Sequence, residues 1–76
     1  MKIEVLGPGC SRCAALHDNV LRAVRETGAA CEVEKVSDMQ RIAATGAIAT
    51  PILVIDGEVK SAGRVLSPDQ IKPLLG

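Results

Sequence analysis

Two cysteines separated by two residues, Cys10-Ser11-Arg12-Cys13, stand where a short strand-like segment breaks at Gly7-Pro8-Gly9 and a helical pattern begins. A disulfide across so short a span closes almost no loop and adds little chain-entropy stabilisation. The value of the pair is therefore chemical. At a helix start, unpaired backbone N–H groups and the positive end of the macrodipole favour thiolate over thiol. Arg12 adds a permanent positive charge beside Cys10. Surroundings of this kind typically bring a cysteine pKa from about 8.5 to about 7 or below. The spacing points to a dithiol that cycles to a disulfide.

A chain of 76 residues is expected to form one small domain, residues 1–76, with a modest core. Its hydrophobic 47% contains no Phe, Tyr or Trp, which removes the stacking platforms that single-stranded nucleic-acid binders use. Lys plus Arg and Asp plus Glu each total 9, so no net positive charge tracks a phosphate backbone. Nucleic acid is not an expected partner. The segment 1–6 reaches Gly7 and Pro8 too soon for a signal peptide, and no apolar run approaches the roughly 18 residues of a membrane span. The expectation is a cytoplasmic protein, where paired cysteines are redox-active or metal-binding more often than structural.

Residues 2–6 read as a strand, and 11–27 as a helix with Cys13, Leu16, Val20, Ala23 and Val24 on one face. Gly28 ends it. Residues 31–36 alternate as a half-exposed strand, and Ser37-Asp38 can cap a short helix carrying Met39, Ile42 and Ala43. The apolar run 51–55 suits a strand buried on both faces, and Asp56-Gly57 signals a hairpin to a polar strand over 58–62. Ser67-Pro68-Asp69-Gln70 opens a last helix that Pro73 should shorten, kink or end near Lys72. The order is βαβαββα. The first three strands are expected to be parallel through right-handed crossovers, and the fourth antiparallel after its hairpin. Charged strands belong at edges and apolar ones inside, which predicts a four-stranded mixed sheet of order 2-1-3-4 with helices on both faces.

Gly7-Pro8-Gly9-Cys10-Ser11-Arg12-Cys13 opening a helix, with Ala49-Thr50-Pro51 before an apolar strand and an Asp-Gly hairpin, resembles the thioredoxin-like superfamily, and within it the small single-domain, glutaredoxin-like redox-active disulfide proteins. The resemblance spans essentially the whole chain. It implies a thiol-disulfide oxidoreductase in which Cys10 is the nucleophile, Cys13 the resolving thiol and Thr50-Pro51 a cis-proline dipeptide whose backbone pairs with an extended substrate. Gly9, Ser11 and Arg12 would support the pair. It implies a protein disulfide as substrate, an unidentified reductase as electron donor, no cofactor, no bound metal and a monomer. No Trp precedes Cys10, and Ser11-Arg12 is neither the Gly-Pro of ordinary thioredoxins nor the Pro-Tyr of glutaredoxins, so substrate and potential stay open. Gly63 is followed by Arg64-Val65-Leu66 and not by the second glycine and acidic pair that grip glutathione.

Other residues have two readings. Glu4, six residues before Cys10, is read here as a strand-end carboxylate reaching solvent, the alternative being proton transfer with Cys13. His17 is read as a surface histidine and Cys31 as a small apolar side chain. A function of another class uses the same pair: soft-metal carriers bind copper or mercury with two thiolates. Those domains share only the local motif and commonly carry a Met where this chain has Pro8. A third reading is a redox fold used purely for interaction, against which the intact cysteine pair counts.

Overall fold

The computed structural model describes residues 1–9 and 11–75. Strand β1 (Lys2–Leu6) enters helix α1 (Ser11–Thr27) through the glycine-proline turn. Strand β2 (Glu32–Val36), helix α2 (Met39–Ala44), strands β3 (Ile52–Ile55) and β4 (Glu58–Ala62), and helix α3 (Pro68–Ile71) follow. The sheet order is β2-β1-β3-β4.

The 17 residues of α1 span about 25 Å at 1.5 Å per residue, longer than the five-residue strand it follows. That length returns the chain to the start of the sheet, so β2 runs parallel to β1, with Lys2 opposite Glu32 and Leu6 opposite Val36. Helix α2 has only six residues, about 9 Å, and it leaves the chain at the end where β2 finished. β3 therefore enters the sheet from that end and runs antiparallel to β1, with Leu6 opposite Ile52 and Ile3 opposite Ile55. This corrects the expectation of three parallel strands, and the difference decides the site. In a parallel arrangement the residues before β3 would lie at the opposite end of the sheet from Gly7; here they lie beside it.

β1 has partners on both sides, and its alternation divides the interior in two. Ile3 and Val5 join Leu16, Val20 and Ala23 of α1, Leu53 and Ile55 of β3, and Ile71 and Leu75 of the C-terminal helical segment. Leu6 joins Val36, Ile52, Val54 and Ile42 of α2 on the other face. All four residues of β3 are buried, as a strand covered on both faces requires. Asp56 and Gly57 both take positive φ, 50° and 81°, the conformation a tight β3–β4 hairpin demands. The hairpin is fastened to the start of β1, since Lys2 N–H donates to Asp56 Oδ1 and Asp56 N–H to Lys2 O, each at 2.8 Å. Ser67 and Gln70 form a reciprocal capping box at α3. The α-helix stops at Ile71 and Pro73 is carried in a 3-10 turn, Lys72–Leu75. That turn is tied to α1 through Lys72 Nζ, 2.5 Å from Glu26 Oε1, while Arg22 Nε donates to Glu26 Oε2 at 2.9 Å. These two cations pull the Glu26 pKa down from 4.5 to about 2, the hydrogen bond to Lys72 contributing most.

Candidate active site

The site is assembled at the end of the sheet where β1 leaves and β3 enters. Gly7 N–H donates to Val36 O at 2.9 Å, fixing the turn against the end of β2, and Gly9 takes φ +88°, a region open to glycine. Helix α1 opens at Ser11, the residue after Cys10, and has no acidic side chain in its first turn to offset its positive end. The placement of Cys10 itself lies outside the described residues. Ser11 and Arg12 are exposed.

Cys13 is only 3% exposed and takes the first core-facing position of α1, one turn before Leu16. Its sulfur is seated directly against Gly7. A Cβ built on Gly7 would overlap Cys13 Sγ, and it would lie 3.3 Å from Cys13 Cβ and 3.8 Å from Thr50 Cβ. The backbone at Gly7 is not left-handed, so glycine is needed there for room and not for conformation. Nothing in the sequence separates that requirement from the ordinary turn-forming role of Gly-Pro-Gly.

The Thr50–Pro51 peptide bond is cis, and Pro51 is fully buried. Because β3 pairs antiparallel with β1, Pro51 is placed next to the end of β1 and Thr50 reaches the ground between Gly7 and the proline loop. Pro51 O accepts from Gly63 N–H at 2.9 Å, and Gly63 O accepts from Arg12 Nη2 at 2.6 Å. On the other side of the cysteine motif a cavity of about 260 Å³ is bordered by Gly7, Pro8, Gly9 and Cys13 and by Lys35, Val36 and Ser37 at the end of β2.

Of the residues singled out in the sequence, Cys13, Thr50, Pro51, Gly9 and Arg12 are thus brought to one end of the sheet. Glu4 is not a strand-end carboxylate reaching solvent. It is 8% exposed, on the face of β1 covered by α2, and its Oε2 accepts from Arg41 Nη2. A carboxylate on a central strand, between Glu34 and Val54, keeps little contact with water and takes a cation from the covering helix. Arg41 Nη1 also lies 3.5 Å from Glu34 Oε1, and the hydrogen bond to Glu4 raises the arginine pKa further, burial opposing it. The signal available was an acidic residue flanked by Ile3 and Val5 in the middle of the strand, which calls for an opposite charge on whatever covers it. His17 is half-buried, its Nδ1 4.0 Å from Asp18 Oδ1. Cys31 is half-buried against the α1-side core, and among the described residues it belongs to no group of three or more metal-ligating side chains.

A profile of the Thioredoxin domain family matches residues 1–76. The chain belongs to that thioredoxin family. A thioredoxin of Methanothermobacter thermautotrophicus is 44% identical to it over 75 residues, covering 99% of this chain and 97% of the relative. A thioredoxin of Methanocaldococcus jannaschii is 34% identical over 70 residues, covering 92% of this chain and 80% of that protein. With this family, full-length similarity and fold, the thioredoxin-family chain is a thiol-disulfide oxidoreductase. No helix among its described residues is long and apolar enough to cross a membrane.

Proposed function

We propose that this protein reduces a protein disulfide through a dithiol made of Cys10 and Cys13. The Cys10 thiolate attacks one sulfur of the partner's disulfide, forming a mixed disulfide and releasing the first partner thiolate. Cys13 gives up its proton and attacks the Cys10 sulfur. The Cys10–Cys13 disulfide forms, the second partner thiolate leaves, and two electrons have passed to the partner. An unidentified reductase returns them.

The observation that carries this reading is the seat of Cys13: a buried thiol pressed against a side-chain-free backbone at Gly7, beside Thr50. Buried at the first core-facing position of α1, Cys13 takes the resolving role, acting once a mixed disulfide has formed on Cys10. Cys10 precedes Ser11 in the sequence and takes the attacking role, and the first turn of α1 has no acidic residue to offset the positive helix end. Thr50 and Pro51 form the docking edge, where backbone groups of Thr50 pair with an extended segment of the partner and hold its disulfide at Cys10. Gly9 and Ser11 shape the turn, Arg12 adds charge, and the molecule acts as a cytoplasmic monomer. Division of labour between the thiols is tested by Cys13→Ser. The variant is expected to accumulate a mixed disulfide with a disulfide-bearing peptide through Cys10, identified by peptide mapping. An adduct through Cys31, or faster alkylation of Cys13 than of Cys10 in the unmodified protein, overturns the assignment.

A further inference from the structure

Arg12 stands in the first turn of α1 and is exposed, a position where an arginine is ordinarily solvated. Its guanidinium instead reaches a residue 51 positions later, donating from Nη2 to Gly63 O at 2.6 Å. Gly63 is a junction. Its carbonyl is held by α1, and its N–H donates the other way to Pro51 O at 2.9 Å. It also has φ +76°, and a Cβ there would lie 2.7 Å from Ala49 Cβ, so the 63–66 loop and the proline loop touch with no side chain between them. Farther along α1, Asn19 Nδ2 donates to Leu66 O at 2.9 Å. The helix therefore grips the 63–66 loop at both ends, with a half-buried amide at Leu66 and an exposed guanidinium at Gly63.

We propose that Arg12 is a positioning residue for the disulfide partner, a strap that runs from the cysteine helix through Gly63 to the proline loop and fixes the edge on which the partner docks. The inference rests on the function proposed above and adds to Arg12 a role distinct from its charge. The Pro51 carbonyl that Gly63 holds is adjacent to the Thr50 groups that pair with the partner, so its direction sets theirs. Without the guanidinium, the Gly63 carbonyl returns to water, and of the two hydrogen bonds from α1 the loop keeps the one at Leu66. The Gly63–Pro51 hydrogen bond then opens more often, and the docking edge loses its fixed shape. A purely electrostatic Arg12 would act through the fraction of thiolate and would lose its effect at high pH. A strap keeps its effect at every pH.

The test is Arg12→Met, measured in two ways. With a disulfide-bearing peptide as substrate at pH 9, where the Cys10 thiolate forms without help, KM is expected to rise about fivefold with little change in kcat, the scale of losing one exposed charge-assisted hydrogen bond. Hydrogen exchange of the Gly63 amide, followed by NMR on the reduced protein, is expected to quicken about fivefold, while the amides of β1 hold their rates. An unchanged Gly63 exchange rate, or a KM that matches the unmodified protein at pH 9, overturns the strap and leaves Arg12 as a charge. The exchange measurement needs no substrate. If the unmodified protein reduces no peptide disulfide, the function proposed above fails, and the strap is still decided by Gly63.

Discussion

Replacing Gly7 by alanine tests the seat of Cys13 by filling it. The added Cβ overlaps Cys13 Sγ and has Cys13 Cβ at 3.3 Å, inside the core and not at its rim. Overpacking of this kind costs about 1–3 kcal/mol. Opposing it, alanine at a position that needs no positive φ restrains the unfolded chain and stabilises by about 0.4–1 kcal/mol. The net expectation is a loss of about 1–2 kcal/mol, or a melting temperature lower by at least about 4 °C in a domain of this size. Removing the sulfur should remove the penalty. In a Cys13→Ala background the nearest atom is a carbon that a few tenths of an ångström of movement can accommodate. There Gly7→Ala should fall within about 0.5 kcal/mol of neutral, leaving a coupling of about 1–2 kcal/mol between the two sites. Urea unfolding of the four reduced proteins measures it, and iodoacetamide labelling should show Cys13 more accessible in the single Gly7→Ala variant. An equal loss from Gly7→Ala in both backgrounds would refute the reasoning, because the cost would then come from the turn and not from the thiol.

Three further outcomes are expected. Glu26 has a folded pKa of about 2 against an ordinary 4.5, so it contributes stability above about pH 4.5 that is lost as pH falls through about 2; Glu26→Gln should flatten that acid limb of the unfolding free energy against pH, and an unchanged limb would disprove the tie from Lys72 to α1. Arg41→Met leaves the buried Glu4 carboxylate without its cation and should lower the melting temperature by several degrees, most of it recovered in the Glu4→Gln, Arg41→Met double variant; a single variant that melts like the unmodified protein contradicts the pairing. Gly63→Ala combines a φ of +76° with a 2.7 Å approach to Ala49 Cβ and should cost at least the roughly 1–2 kcal/mol of a left-handed alanine, read by urea unfolding; a neutral change would mean that the two loops are not in contact.

Features set by neighbours in the chain were legible in the sequence. The limits of α1 follow from its apolar spacing and Gly28, the hairpin from Asp56-Gly57, and the shortened last helix from the conflict between the Ser67 capping box and Pro73. Burial of β3 on both faces follows from four consecutive apolar residues. Its direction was not legible, because strand order can be argued from composition while direction depends on where the connection ends. A six-residue α2 holds the chain at one end of the sheet, and that distance decides the matter. Glu4 was misread although its strand was expected to be central, because its partner Arg41 lies 37 residues away on the covering helix and no local pattern joins them. Within the site, the cysteine and proline motifs were visible as motifs. The packing that joins them, Cys13 on Gly7 and Arg12 on Gly63, exists only across elements.

The central claim, a two-electron dithiol confined to Cys10 and Cys13, is tested most directly by equilibrating the protein across a series of glutathione redox buffers, quenching by alkylation and mapping the labelled cysteines by mass spectrometry. The account predicts a single reversible transition in which Cys10 and Cys13 lose their labels together, with a midpoint independent of protein concentration, while Cys31 stays alkylated throughout. A pair that remains alkylated across the series, or a disulfide that draws in Cys31, would contradict it and turn attention to the two thiols as ligands for a soft metal ion.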